Sequence, residues 1–231
     1  ADLSPSLPVA NGPLVGRRHE FDALMNLFVA EQRHLITITG IEGVGKTRLA
    51  LEFARALHRE GARVLWVPLA EDSSLWSAQD GEAALLSARV RALLPAGEPG
   101  ARQLRDLIGN RDLFIALDGQ RQFGASAEAI TQLLTLCPRV RILITSRYPV
   151  GRAAETFFPL APLSVPDTCC EPDPTTVERA ASVQMFLTQM KQVRPDFRLH
   201  PGNACVIGRI CRALDGLPAA LERGARWSLV Y

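Results

Sequence analysis

Apolar positions along the chain follow two periods. Residues 34–39, 63–69, 112–117 and 140–145 are short apolar runs of the kind that fill a buried strand, and a weaker run covers about 155–160. Between them apolar residues recur at helical spacing. Residues 17–30 place Phe21, Leu24, Leu27 and Phe28 on one face, a second helix is predicted from Lys46 to about Glu60, and a third over 125–136. Most of 71–110 also reads as helix, broken around Pro95–Gly100, and Gly61 is placed to end the second helix. Strands separated by helices predict a parallel sheet covered on both faces, with right-handed crossovers restricting the topology.

After Pro159 the pattern changes. Pro162, Pro166, Pro172 and Pro174 mark a loop, and everything beyond it has helical period. Val183, Phe186, Leu187 and Met190 form one stripe, Ile207, Ile210, Cys211 and Leu214 another, and Leu217, Leu221 and Ala225 a third. The predicted division is a linker over 1–13 (Pro5, Pro8, Pro13), an α/β domain over 14–163 and a small helical domain over 164–231. A chain that opens on a linker is expected to be a piece of something longer.

The junction of the first strand and second helix carries the chemistry. It reads Gly40-x-x-x-x-Gly45-Lys46-Thr47, with a β-rich run before it and a helical pattern after it. That is the setting of a phosphate-binding loop. Glycines let backbone N–H groups turn inward around phosphate oxygens, and the helix aims its positive dipole end at the same anion. Lys46 would reach the β- and γ-phosphates, and the Thr47 hydroxyl would ligate Mg²⁺.

Two further strand ends fit this chemistry. Asp118 follows the run Leu113–Leu117. An acid there can hold Mg²⁺ through water, although alone it reads equally well as a turn residue. Ser146 and Arg147 follow Leu143-Ile144-Thr145 at the sheet edge where ligands bind. The planar, always-charged fork of Arg147 suits a γ-phosphate, and the bland alternative is a surface arginine.

Composition narrows the classes. A chain of 231 residues with 47% hydrophobic content can bury a sizeable core. Net charge +2 gives no basic footprint for nucleic acid, so this segment is not expected to bind it. The apolar runs fall far short of the ~20 residues that span a bilayer, and no signal peptide opens the chain, so no membrane partner is expected. Cys137, Cys169, Cys170, Cys205 and Cys211 are odd in number and lack CxxC spacing. Neither a disulfide framework nor a zinc site follows, and a reduced cytoplasmic setting fits best. Cys205 and Cys211 read as buried thiols, while adjacent Cys169 and Cys170 receive no role. Only Lys46 and Lys191 of the 26 basic residues are lysine, a bias that reads as high-GC bacterial coding.

Taken in order, Val15-Gly16-Arg17, Gly40–Thr47 with Arg48-Leu49-Ala50, Leu117-Asp118, Thr145-Ser146-Arg147 and Leu214-Asp215-Gly216-Leu217-Pro218 resemble the STAND class of AAA-related ATPases. More narrowly, they resemble the NB-ARC-type modules of large bacterial transcriptional regulators, the AfsR/SARP and LuxR-like groups. The likeness spans about residues 7–227, and Phe186-Leu187 with Val193-Arg194-Pro195-Asp196-Phe197 adds to it. The implied fold class is α/β: a P-loop NTPase parallel sheet flanked by helices, followed by a small all-helical lid domain. The resemblance implies ATP or ADP with Mg²⁺ as cofactors. Val15, Gly16 and Arg17 would line the adenine and ribose side, and Pro218 would pack on adenine. Gly40, Gly43, Val44, Gly45, Lys46, Thr47 and Arg48 would hold the phosphates. Thr47 and Asp118 would be the Mg²⁺ ligands. Lys46, Asp118 and Arg147 would form the catalytic set, with Arg147 sensing the γ-phosphate. Nucleotide exchange would move the helical domain, since ligands shift such equilibria through differential contacts. The implied partners are other domains of the same polypeptide, a DNA-binding or effector domain and helical sensor repeats. Nucleotide-dependent self-association belongs to the same expectations.

One stretch departs from that pattern. Related regulators follow the strand-terminal Asp with Asn, another residue and Glu, and plant-type relatives place a second Asp directly after the first. Here Asp118 is followed by Gly119, Gln120, Arg121 and Gln122. No carboxylate stands where a water-activating base is expected. Gln120 or Gln122 could orient water, but Arg121 cannot act as a base. The leading expectation is therefore a nucleotide-operated switch with slow or absent hydrolysis. The alternatives are an active ATPase whose base lies elsewhere, with Glu42 as one acid nearby, and a scaffold that uses the fold without nucleotide.

Overall fold

The computed structural model describes residues 7–9, 12–69, 112–120, 126–167 and 173–227. The helical expectation over 71–110, and those for Arg121, Gln122, Cys169 and Cys170, lie outside these residues. Helix α1 (Arg18–Met25) runs into a π-helical turn (Asn26–Ala30). Then come β1 (Leu35–Thr39), α2 (Lys46–Arg59), β2 (Val64–Pro68), β3 (Leu113–Gln120), α3 (Ser126–Leu136), β4 (Val140–Ser146) and β5 (Glu155–Pro159). Helices α4 (Pro174–Glu178), α5 (Ala181–Val193), α6 (Pro201–Ala213) and α7 (Pro218–Trp227) follow.

The apolar pattern over 17–30 predicts one helix, and the structure changes its pitch at Asn26. There the Glu31 N–H reaches back five residues to the Asn26 carbonyl at 3.1 Å. Gln32, at φ 50, lies outside helical geometry.

All five strands pair in parallel, in the order β2-β3-β4-β1-β5. With helices flanking the sheet, this is a P-loop NTPase-like fold. Strand β4 separates β1 from β3, and the C-terminal ends of all strands share one edge. Alternation assigns the two faces. Leu35, Leu65, Leu113, Ile115, Ile142 and Ile144 share a buried cluster with Ala127 and Ile130 of α3. Phe114, of opposite parity, meets Phe53 of α2 with ring centroids 5.5 Å apart and Phe28 at 5.2 Å. These edge-to-face pairs carry stabilisation beyond their buried area. Arg141 lays its guanidinium 4.1 Å from the Phe28 ring centroid and donates to the Phe28 carbonyl at 3.1 Å. That satisfies a cation emerging from a buried strand.

Two compact units are present. The first comprises Ala1–Asn11, Glu20–Gly40 and Lys46–Pro159, and contains the sheet. The second comprises Gly12–His19, Ile41–Gly45 and Leu160–Tyr231, and contains the four C-terminal helices. Helices α4, α6 and α7 each begin on proline, whose fixed φ and missing N–H suit a first turn. Asp173 caps α4 by accepting from the Thr175 N–H at 3.3 Å. His200 and Asn203 cap α6 reciprocally: His200 Nδ1 accepts from the Gly202 N–H at 3.2 Å, and Asn203 Oδ1 accepts from the His200 N–H at 2.9 Å. The core of this unit gathers Leu163, Val183, Phe186, Met190, Ile207, Cys211 and Leu221.

Candidate functional site

The loop Gly40–Gly45 joins β1 to α2. Gly43 at φ 80 and Gly45 at φ 101 adopt backbone that L side chains rarely enter, which is why this spacing needs glycine.

In the first unit, the site is a chain of side-chain hydrogen bonds. The Thr47 hydroxyl donates to Asp118 Oδ1 at 2.7 Å, and the Thr145 hydroxyl donates to the same oxygen at 2.6 Å. Thr145 in turn accepts from the Gly119 N–H at 3.0 Å. The pairing of β3 with β4 slips between Leu117 and Gln120, and Gly119 sits at φ 99. This irregularity turns the Gly119 N–H onto β4. Lys46 Nζ donates to the Gly40 carbonyl at 2.8 Å. Burial pulls its ammonium pKa below the usual lysine range, with Asp118 opposing that shift. Arg48 forms a 3.3 Å ion pair with Glu52 one turn along α2. Arg147 is exposed in the bend after β4. The neighbouring Ser146 hydroxyl is buried and accepts from the Tyr148 N–H at 3.1 Å.

In the second unit, the contacts run to backbone. Arg17 is 4% exposed and is the one buried charged side chain among the described residues. Its Nη2 donates to the Ala161 carbonyl at 2.6 Å and to the Val44 carbonyl at 3.1 Å. The Ala219 N–H, in the first turn of α7, donates to the Gly43 carbonyl at 3.1 Å. A methyl group at Gly45 would stand 3.8 Å from the Pro218 ring. Gly16 has no room for one: its Cβ would meet that of Ala181 at 2.5 Å. Val15 packs partly buried against the helical core.

These donors suit a phosphate and a hard cation. Consecutive loop N–H groups with a lysine favour an anion. A hydroxyl and a carboxylate already in contact are oxygen ligands of the kind Mg²⁺ takes beside phosphate and water.

A family model described as the AAA ATPase domain matches residues 13–145, more than half of the chain. The chain belongs to this AAA ATPase domain family. A Mycobacterium tuberculosis protein, named as a candidate HTH-type transcriptional regulator, is 35% identical to this chain over 199 residues. The match covers 84% of this chain and 20% of the relative. An uncharacterised Mycobacterium tuberculosis protein is 30% identical over 215 residues, covering 91% of this chain and 49% of its own length. The AAA chain thus spans a fifth to a half of these relatives. Among solved structures, replication initiator DnaA bound to AMPPCP and single-stranded DNA superposes with a TM-score of 0.54 at 14% identity. It covers 93% of this chain and 61% of its own, and the likeness is one of fold.

Three participants received no role in the motif reading of this chain. The Thr145 hydroxyl had a signal: a polar residue closing an apolar strand, where a buried hydroxyl needs a partner. The Ala161 carbonyl and the Ala219 N–H are backbone groups, and no residue type marks them.

Proposed function

We propose that the chain is the ATP- or ADP-binding switch module of a multidomain bacterial signalling or transcriptional regulator, of the STAND class with NB-ARC-like character, and that it hydrolyses ATP slowly or not at all. The observation that carries this reading is the state of Asp118. Its Oδ1 accepts from both Thr47 and Thr145, which supports a cation-holding role for Thr47 and Asp118. The next residue, Gly119, has no side chain, and its N–H is taken by Thr145. Gln120, Arg121 and Gln122 supply no carboxylate after it.

In this reading the loop N–H groups and Lys46 hold the phosphates, while Thr47 and Asp118 hold Mg²⁺. The bound cation would neutralise phosphate charge. Arg147, at the sheet edge, senses the γ-phosphate, and Val15, Gly16 and Pro218 flank the base. Any DNA-binding output belongs to other parts of the polypeptide, which the name of the 35%-identical relative supports.

Calorimetry with ATP and ADP, with and without Mg²⁺, tests it. The wild type is expected to bind both. Lys46→Ala is expected to lose roughly tenfold or more, the weight of one charge-assisted hydrogen bond. Phosphate release is expected to be slow or at the level of buffer. A wild type that binds neither nucleotide overturns the reading, and steady turnover abolished by Asp118→Ala overturns its slow-hydrolysis half.

A further inference from the structure

We propose that Arg17 is a positioning residue that sets the phosphate loop from behind, acting on the loop's backbone and not on the base or ribose. This rests on the reading of the loop as a nucleotide site. In a trans peptide the C=O and the N–H that follows point in opposite directions, and no described peptide is cis. Arg17 Nη2 holds the Val44 carbonyl at 3.1 Å, so the Gly45 N–H of the same peptide points away from Arg17. The Ala219 N–H holds the Gly43 carbonyl at 3.1 Å, so the Val44 N–H points away from α7. Two consecutive N–H groups are thereby fixed by what their carbonyls bond. Consecutive N–H groups held this way are what an anion-binding nest requires.

Arg17 is itself anchored. It is 4% exposed, and the Nη2 that reaches Val44 also bonds the Ala161 carbonyl at 2.6 Å. The preceding Gly16 is confined by Ala181 and Leu163, so the backbone that launches the side chain is fixed as well. A guanidinium can serve two carbonyls because its N–H groups form a rigid planar fork, whereas a lysine ammonium offers a rotating point charge. In place of a direct phosphate contact, Arg17 orders the donors that make one, at no conformational cost when the anion arrives.

The test uses two probes on the 231-residue chain: ADP, and inorganic pyrophosphate, which has no base or ribose. Arg17→Met is expected to weaken both by the same factor, about tenfold or more. Arg17→Lys is expected to recover part of that loss. Thermal unfolding of each variant establishes that it is folded, and if Arg17→Met does not fold, Arg17→Lys decides by the same comparison. Unchanged pyrophosphate affinity with weakened ADP would place Arg17 at the base or ribose and overturn the proposal. Unchanged affinity for both probes overturns it too. A wild type that binds neither probe removes the nucleotide reading itself, an outcome separate from any Arg17 effect.

Discussion

Both units bury an apolar core, but they differ in how closely their backbones approach. The sheet unit is filled by volume: Phe53, Leu24, Leu35, Ile36, Ile38 and Leu49 are fully buried, and Phe53 stacks edge-on with Phe28 and Phe114. The helical unit adds close backbone approach to its buried core. A Cβ at Gly16 would stand 2.5 Å from that of Ala181, one at Gly216 would stand 2.2 Å from the Leu163 carbonyl oxygen, and one at Gly224 would stand 3.1 Å from Leu214 Cδ1. Backbone bonds require this closeness, among them Leu163 N–H to the Gly216 carbonyl at 3.0 Å and Ser182 N–H to the Ser164 carbonyl at 3.0 Å. A unit filled by volume suffers when atoms are removed. A unit whose backbones approach closely suffers when they are added. The same division reaches the candidate site, where Asp118 is served by side-chain hydroxyls and the loop residues Gly43 and Val44 are served through their carbonyls.

The sharpest break would come from one methyl group. Gly216→Ala adds left-handed strain at φ 62 to a clash with backbone that cannot rotate aside. We expect a loss of at least about 3 kcal/mol, read from the urea midpoint. Gly61→Ala is the matched control. It has similar backbone at φ 85 but nothing within 4 Å, so about 1 kcal/mol is expected. Equal losses at the two positions would dissolve the contrast, because strain alone would then explain both.

A second test titrates the helical core. Burial pushes the Cys211 thiol up to about 11 from 9.0. The folded state then keeps its proton where the unfolded state has lost it. The contribution of Cys211 is therefore complete below about pH 9 and disappears as pH rises toward 11. The slope amounts to no more than about 3 kcal/mol across that window. Unfolding of wild type and Cys211→Ala at pH 8 and pH 10.5 checks it. The variant starts less stable and is expected to show the shallower decline. Parallel declines would mean that the thiol is not desolvated as this packing requires.

These two tests also mark what was legible in the sequence. The strands and the loop were readable because each is a local pattern: apolar runs at 34–39 and 140–145, which fold as Leu35–Thr39 and Val140–Ser146, and a glycine spacing only a tight loop demands. Asp118 was readable as an acid closing an apolar run, but β3 does not end there: it continues past Asp118 to Gln120 through an irregular pairing with β4. The hydrogen bond of Asp118 to Thr145 was not readable, because it depends on β4 lying between β1 and β3, a matter of strand order. The bond from Arg17 to Val44 joins residues 27 apart, and Ala219 acts through an N–H that every residue but proline has. Gly216 was visible only as part of a motif, and the Leu163 carbonyl at its back was not visible at all. Motifs name side chains, whereas much of this site is held by backbone groups that become specific only once the chain is folded.

The smallest expected effect carries the opposite sign and belongs to the sheet unit. Thr37 lies in the middle of β1, fully buried, and its hydroxyl has no hydrogen-bond partner among the described residues. Its partners in the two neighbouring strands are Ile144 and Phe157, both apolar. A buried polar atom without a partner carries a desolvation penalty, and an isosteric methyl group does not. Thr37→Val is therefore expected to stabilise the chain by about 1 kcal/mol while leaving ADP affinity unchanged, since Thr37 stands before the loop. Thr145→Val is the informative contrast: the same chemical change would strip Asp118 of one donor and leave the Gly119 N–H unserved, so both stability and Mg²⁺-dependent affinity should fall. If Thr37→Val proves destabilising by a kilocalorie or more, its hydroxyl is bonded in solution, by water or by a shifted carbonyl, and volume alone does not account for the packing of β1.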